Sequence, residues 1–175
     1  DTPYAVEYYQ QILGTPDYTL VERKELNGTT DSIITPETPY YTGFITPIAE
    51  DVKILADGST VQRYYYDRQT HTVTFEPGIV GGDSVSYELD FGGRITAPQF
   101  AANGYIFTGW DREVESTMGE SDVTYTAQWM VDPATTYRVE YYVQQTDGRY
   151  VMQDFEVFEG STGDVLTEQQ LRETI

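Results

Sequence analysis

Apolar and polar residues alternate along most of this chain in short runs, and Gly, Pro, Asn and Asp break the runs apart. A period of two predicts short, half-buried β-strands rather than helices. Residues 4–9 (Tyr-Ala-Val-Glu-Tyr-Tyr) read as the first strand, Gly14-Thr15-Pro16-Asp17 as a turn, and Tyr18 to Glu25 as the second strand. Asn27-Gly28-Thr29-Thr30 is a further turn signal. The Pro- and Thr-rich stretch from Thr35 to Pro47 is too broken for a long helix. Asp57-Gly58 makes a tight turn ahead of an aromatic strand, Val61 to Tyr66. The pattern then repeats with other residues. His71 to Phe75, Ser84 to Phe91, Gly104 to Trp110 and Val123 to Trp129 read as strands, with Pro77-Gly78 and Gly81-Gly82 as breaks and Gly92-Gly93 turning into Arg94 to Ala97. Met130 to Thr136, containing Asp132-Pro133, reads as the clearest linker. Strand patterns return at 137–143 and 150–158. Thr167 followed by Gln170 carries the capping-box spacing that opens a short helix.

The pattern also repeats in its letters. Residues 4–11 read Tyr-Ala-Val-Glu-Tyr-Tyr-Gln-Gln and residues 137–144 read Tyr-Arg-Val-Glu-Tyr-Tyr-Val-Gln. With one deletion near Pro16 the register continues: Tyr18 aligns with Tyr150, Gly28 with Gly160, Thr30 with Thr162 and Thr35 with Thr167. A repeat with unrelated sequence between its copies marks a modular array. The chain of 175 residues then divides into segments 1–68, 69–131 and 132–175, the first two of a size that can just support a core of their own. The third has no counterpart of Val61–Tyr66. A missing closing strand leaves an open sheet edge, and open edges invite strand addition or swapping, so concentration-dependent self-association is expected. Both ends of the chain lie inside repeat-like sequence, as expected of a piece of a longer protein.

Composition narrows the functional classes. Tyr is the dominant aromatic, with 16 copies against 7 Phe and 2 Trp, and it suits a sheet with one packed face and a wet hydroxyl edge. The net charge of −19 repels nucleic acid and anionic lipid, arguing against both as partners. The absence of Cys excludes disulfides, thiolate catalysis and thiolate zinc sites. No stretch is apolar for long enough to insert in a membrane, and none reads as a signal peptide.

Two resemblances follow from particular residues. Thr72-Val-Thr-Phe75, Gly93-Arg-Ile, Pro98, Gly104-Tyr-Ile-Phe-Thr-Gly-Trp110 and Tyr125-Thr-Ala-Gln-Trp129 together resemble the Listeria–Bacteroides repeat first seen in internalin B-repeats. The resemblance covers 70–129, with a long spacing between Phe75 and Gly93. The flanking copies, Tyr-x-Val-Glu-Tyr-Tyr with Val-x-x-Tyr-Tyr-Tyr-Asp at 61–67, resemble mucin-binding-protein-type repeats. Both resemblances imply small β-grasp, ubiquitin-like modules of large secreted or wall-anchored bacterial proteins. The fold class expected is therefore mostly β (α+β), as tandem small β-grasp modules in an elongated array. Within the middle module Tyr105, Phe107 and Trp110 are expected to supply most of the core, with Trp110 and Trp129 buried in it.

The chemical constellations are sparse. His71, the single histidine, stands at a strand start with no nucleophile motif near it. Gly81-Gly82 and Gly92-Gly93 lack the helix and Lys of a phosphate loop. Asp111, Glu113, Glu115, Glu120 and Asp122 are hard-oxygen ligands close in sequence, yet their spacing matches no EF-hand loop. Lys24 and Lys53 with Asn27 and Asn103 could form isopeptide cross-links only if buried together with an acid, and neither Lys has an apolar context. No catalytic, metal or cofactor site is assigned, and binding residues stay unassigned. In Tyr8-Tyr9 and Tyr64-Tyr65-Tyr66 neighbours face opposite sides, and exposed tyrosines, with Tyr8 and Tyr65 as test positions, are the candidates for contact. The expectation is a non-enzymatic stalk or spacer of a bacterial cell-surface (cell-wall) or secreted protein, adhering to host mucin, glycan or matrix protein. The alternatives are a dedicated protein- or carbohydrate-binding module, or the accessory region of a larger extracellular enzyme.

Overall fold

The computed structural model describes residues 1–173. Strand is the dominant structure, and the chain divides into two compact units. One comprises Asp1–Phe75, Val85–Ala97 and Glu113–Tyr125; the other comprises Glu76–Ser84, Pro98–Arg112 and the chain from Thr126 onward.

The first unit opens with an antiparallel hairpin of β1 (Thr2–Gln11) and β2 (Tyr18–Gly28). Two short strands, β3 (Ile33–Ile34) and β4 (Val52–Lys53), pair with each other. β5 (Val61–Tyr66) then lies parallel to β1 on its other edge, giving the order β2-β1-β5. Parallel neighbours need a long crossover, and residues 29–60 supply it. The inner face carries Val6, Tyr8, Tyr64, Tyr66 and Phe44 as one buried cluster. Tyr serves here where Phe would not, because the segment over the core is irregular and exposes carbonyls. Tyr8 donates to the Glu37 carbonyl at 2.9 Å, Tyr64 to that of Pro36 at 3.1 Å, and Tyr66 to that of Pro39 at 2.9 Å. The broken stretch Thr35–Pro47 is thus held down by hydroxyls from the sheet, and at Pro36 the hydroxyl meets the carbonyl of a buried residue. Burial pushes the Tyr66 phenol up to about 12.

A four-stranded sheet follows, built from β6 (Thr70–Glu76), β7 (Val85–Asp90), β8 (Tyr105–Trp110) and β9 (Val123–Val131) in the order β7-β6-β9-β8. β6 pairs antiparallel with β7, and β8 with β9. A 3₁₀ turn at Gly78–Val80 follows β6. Val73, Phe75, Ile95, Met118 and Tyr125 are buried, with the Phe75 and Tyr125 rings stacked at 5.4 Å. After the Gly92-Gly93 turn, Arg94 makes an isolated bridge to Thr117.

The expected aromatic core needs correction. Phe107 is 37% exposed, and Tyr105, Trp110 and Trp129 are half-buried. In the second unit these rings form an edge-to-face group: Phe107 meets Trp110 at 5.4 Å and Trp129 at 5.5 Å, and Phe100 meets Trp110 at 5.6 Å. The Trp129 indole N–H donates to the Pro77 carbonyl at 2.7 Å. The β8 register shifts between Phe107 and Gly109, leaving Thr108 as the extra residue beside Gly109 at φ 136°. That irregularity lets Phe107 and Trp110 share one face although a regular strand would separate positions three apart.

β10 (Thr135–Gln144) and β11 (Tyr150–Gly160) form a two-stranded antiparallel sheet, followed by α1 (Glu168–Glu173). The linker expected over Met130–Thr136 shrinks to residues 132–134, since strands occupy both its ends. Asp132 closes that turn: its N–H donates to the Gly104 carbonyl at 2.8 Å, and its side chain accepts the Ala134 N–H at 2.9 Å. The capping box at α1 is present in both directions. Thr167 Oγ1 accepts from the Gln170 N–H, and Gln170 Oε1 accepts from the Thr167 N–H. No helix among the described residues is long and apolar enough to cross a membrane.

The sequence repeat is a structural one. Thr2 pairs with Gly28 in the first hairpin and Thr135 with Gly160 in the third segment, and the register shifts at Tyr8/Tyr9 and at Tyr141/Tyr142. The single deletion lies in the loop, residues 12–17 against 145–149. A Thr–Thr hydroxyl contact recurs, Thr2–Thr30 at 2.5 Å and Thr135–Thr162 at 2.6 Å. Positive φ recurs at Asp31 (63°) and Gly163 (88°).

One position separates the copies. A Cβ on Gly28 would stand 2.3 Å from Cδ1 of Ile54, which is fully buried and would have to turn aside within the core. On Gly160 a Cβ would meet the Tyr137 ring at 3.4 Å and Asp164 Oδ2 at 3.9 Å, both ordinary contacts. Gly28→Ala is therefore expected to cost about 1–3 kcal/mol through overpacking, and Gly160→Ala no more than about 0.5 kcal/mol. Urea melts of the two variants check this, and equal losses would refute it.

Candidate binding face

The outer face of β2-β1-β5 gathers residues of three strands. In the parallel register Tyr9 lies opposite Tyr65 and Glu7 opposite Arg63. The Tyr9 and Tyr65 rings stack at 5.1 Å, and Tyr18 meets Tyr65 edge-on at the same distance. Tyr65 is 48% exposed. Tyr8, one strand position from Tyr9, is 2% exposed and belongs to the core. That corrects Tyr8 as a contact residue; of the two test positions only Tyr65 reaches solvent.

A bulge brings Tyr18 to this face. Tyr8 pairs with Glu22 and Tyr9 with Leu20, so Val21 is the extra residue of β2. Before it, Lys24 and Glu22 share the inner side: Lys24 Nζ lies 5.3 Å from the Tyr8 ring, and Glu22 accepts from the Tyr41 hydroxyl at 2.7 Å. In an unbroken strand Tyr18 would share that parity. One inserted residue reverses facing, and Tyr18 comes out beside Tyr65. Its hydroxyl donates to Asp67, and that bond raises the Tyr18 pKa.

The face has an ionic floor. Glu7 is buried, accepts the Tyr9 hydroxyl at 2.9 Å and Arg63 Nε at 2.9 Å, and pairs with Arg23. The Tyr9 hydrogen bond, followed by the two guanidiniums, holds its carboxyl below the usual carboxylate value against the opposing effect of burial. A lowered folded pKa gives stabilisation that is full above the unfolded value and is lost as pH falls through the folded one. Acid below about pH 4 should therefore weaken the wild-type chain more than Glu7→Gln, while at pH 7 that variant should be roughly 1.5–3 kcal/mol less stable. Urea melts from pH 7 to pH 3 should converge for the two proteins; parallel curves would contradict the assignment. Nothing in the sequence pattern alone marks Glu7, because the two arginines reach it from strands 16 and 56 residues away.

Part of this face recurs in the third segment. Tyr142 donates to Glu140 at 2.7 Å, as Tyr9 does to Glu7, and Tyr142 and Tyr150 are exposed.

The remaining candidates have structural employment. His71 Nδ1 lies 3.5 Å from Asp122 Oδ1, which accepts the Thr72 N–H at 2.8 Å. Glu120 accepts the Tyr40 hydroxyl at 2.6 Å and the Gly43 N–H at 3.0 Å, and Asp111 accepts the Thr126 N–H at 2.9 Å. Among the described residues no three acidic or His side chains are placed to hold a metal ion. Lys53 pairs with Asp31 at 2.6 Å in an exposed setting, not with an asparagine.

No family profile and no curated protein matches this sequence. Among solved structures the chain is similar to the type 2 repeat of the mucus binding protein MUB from Lactobacillus reuteri, at 15% identity over 75% of this chain and 100% of that one, with a TM-score of 0.23. A score that low fixes no common fold, so the functional reading rests on the residues described above.

Proposed function

We propose that this chain is a non-catalytic repeat region of a bacterial cell-surface or secreted protein, with three tandem β-grasp-like segments (1–68, 69–131 and 132–175). It acts as a stalk or spacer and contacts host mucin, glycan or matrix protein through its tyrosine faces. The observation that carries the reading is the sorting of tyrosines on one sheet: Tyr8, Tyr64 and Tyr66 inward, and Tyr9, Tyr18 and Tyr65 outward as one group in contact, Tyr9 stacked on Tyr65 and Tyr18 edge-on to it. Stacked phenols give broad, rigid contact area at low entropic cost, and an exposed aromatic group of this kind is the usual mark of a contact surface. The second-first-fourth-third order of the middle sheet and the parallel β1–β5 pair support the β-grasp reading.

Binding to immobilised mucin and a glycan panel tests the proposal. The wild-type chain should bind saturably, and Tyr18→Ala with Tyr65→Ala should abolish binding without changing the circular dichroism spectrum. Absence of saturable binding would remove the adhesive part and leave the spacer.

A further inference from the structure

The chain holds two asparagines, Asn27 and Asn103, and glycine follows each of them. In such a pair the glycine nitrogen, unshielded by a Cβ, is open to attack the asparagine side-chain amide. Both asparagines are exposed. Their backbones differ. At the start of β1 the Ala5 N–H donates to the Thr60 carbonyl at 3.0 Å, so odd-numbered positions there face β5 and even-numbered positions point their N–H groups toward β2. Thr2 and Gly28 are therefore a hydrogen-bonded pair, and the Gly28 N–H is held in the ladder.

Asn103 and Gly104 are instead the central pair of the turn ahead of β8. The Tyr105 N–H closes that turn on the Ala102 carbonyl at 3.2 Å, a bond that uses neither central N–H. Gly104 stands at φ 79°, a backbone setting that glycine takes without strain. The same turn meets the third segment. The Gly104 carbonyl accepts the Asp132 N–H at 2.8 Å, and the Asp132 carbonyl accepts the Thr162 N–H at 3.1 Å. The approach is close: a Cβ on Gly104 would stand 2.4 Å from Thr162 Oγ1.

We infer that Asn103 is a site of spontaneous deamidation, that the ladder protects Asn27 from it, and that conversion loosens the contact between this turn and Thr162. The Gly104 nitrogen attacks Asn103 Cγ. The N–Cγ bond forms, the Cγ–Nδ2 bond breaks, and the Gly104 proton leaves with the amide nitrogen as ammonia. Water then opens the cyclic imide, and nothing is oxidised or reduced. Opening at Cγ leaves an aspartate. Opening at the main-chain carbonyl leaves an isoaspartate, whose backbone runs through Cβ and is longer by a methylene. In a turn packed this closely on Thr162, added backbone length carries the Gly104 carbonyl away from the Asp132 N–H. This inference is independent of any glycan binding by the tyrosine face.

Peptide mapping by mass spectrometry, after the whole chain is incubated at mildly alkaline pH, tests it. Trypsin places Asn27 in residues 25–53 and Asn103 in residues 95–112. In the folded chain the amide-to-acid mass gain is expected in 95–112 at least about tenfold faster than in 25–53, because the Gly28 N–H has to leave its ladder bond before its nitrogen can attack. In denaturing guanidinium chloride the two rates should converge; a difference that persists there would overturn the role given to the backbone. Equal rates in the folded chain, or a folded chain unconverted while the unfolded one converts at both positions, would overturn the site. Amide exchange at Asp132 and Thr162 reads the consequence. It should quicken in the aged wild-type chain and stay unchanged in Asn103→Gln aged alongside it. Unchanged exchange in a fully converted wild-type chain would overturn the loosening.

Discussion

Tyr66→Ala is expected to remove about 3–5 kcal/mol of stability, the cost of emptying a large buried aromatic site. Tyr66 is fully buried, meets Tyr41 edge-on at 4.9 Å, and anchors the covering loop through Pro39. Its loss leaves a hole beneath a segment with no regular structure and little means of collapsing into it. Tyr66→Phe separates the two contributions. It keeps the ring, strands the Pro39 carbonyl, and should cost about 1–2 kcal/mol. Tyr65→Ala, one residue away but facing out, should cost no more than about 1 kcal/mol. Urea melts of the three variants check the ranking. A Tyr65 loss equal to that of Tyr66 would mean that the strand does not sort its tyrosines as described.

Gly43→Ala is the second large effect. Gly43 has φ 79°, where a side chain costs about 1–2 kcal/mol. A Cβ there would also lie 2.1–2.4 Å from three carbons of the Phe91 ring. The ring is held against Phe44, at 6.2 Å, so displacing it costs a further 1–3 kcal/mol or so. The combined expectation is about 2–5 kcal/mol. A double-mutant cycle with Phe91→Ala isolates the clash. The Gly43 substitution should cost less in the Phe91→Ala background, because only the backbone strain remains. Additive effects would show that the ring is not the obstacle.

How much of this could be read from the letters depends on range. The hairpins, the Thr167–Gln170 cap and the equivalence of 4–11 with 137–144 rest on neighbours in sequence, and the sequence pattern points to them directly. The parallel pairing of β1 with β5 does not, because residues 5–10 and 61–66 carry no local mark of being partners. For the same reason the buried carboxylate of Glu7 passed unremarked. Facing was legible only where strands are regular. Tyr64 to Tyr66 alternate as expected, but the extra residues Val21 and Thr108 each disturb a strand, and beyond such points a parity argument misplaces Tyr18 or Phe107. The aromatic density of the Gly-Tyr-x-Phe-x-Gly-Trp stretch suggested a core because burial is the commonest use of such residues. Phe75 and Tyr125, on two other strands, take that place in the middle sheet instead.

The repeated Val-Glu-Tyr-Tyr gives the molecule its own control sample. Among the described residues the same four stand once with a parallel neighbour and once without, in one polypeptide, one buffer and one measurement. Residue-by-residue exchange at Val6–Tyr9 against Val139–Tyr142 would read out what a third strand adds to an otherwise matched hairpin. A comparison of that kind normally requires two proteins and an assumption that they are otherwise alike.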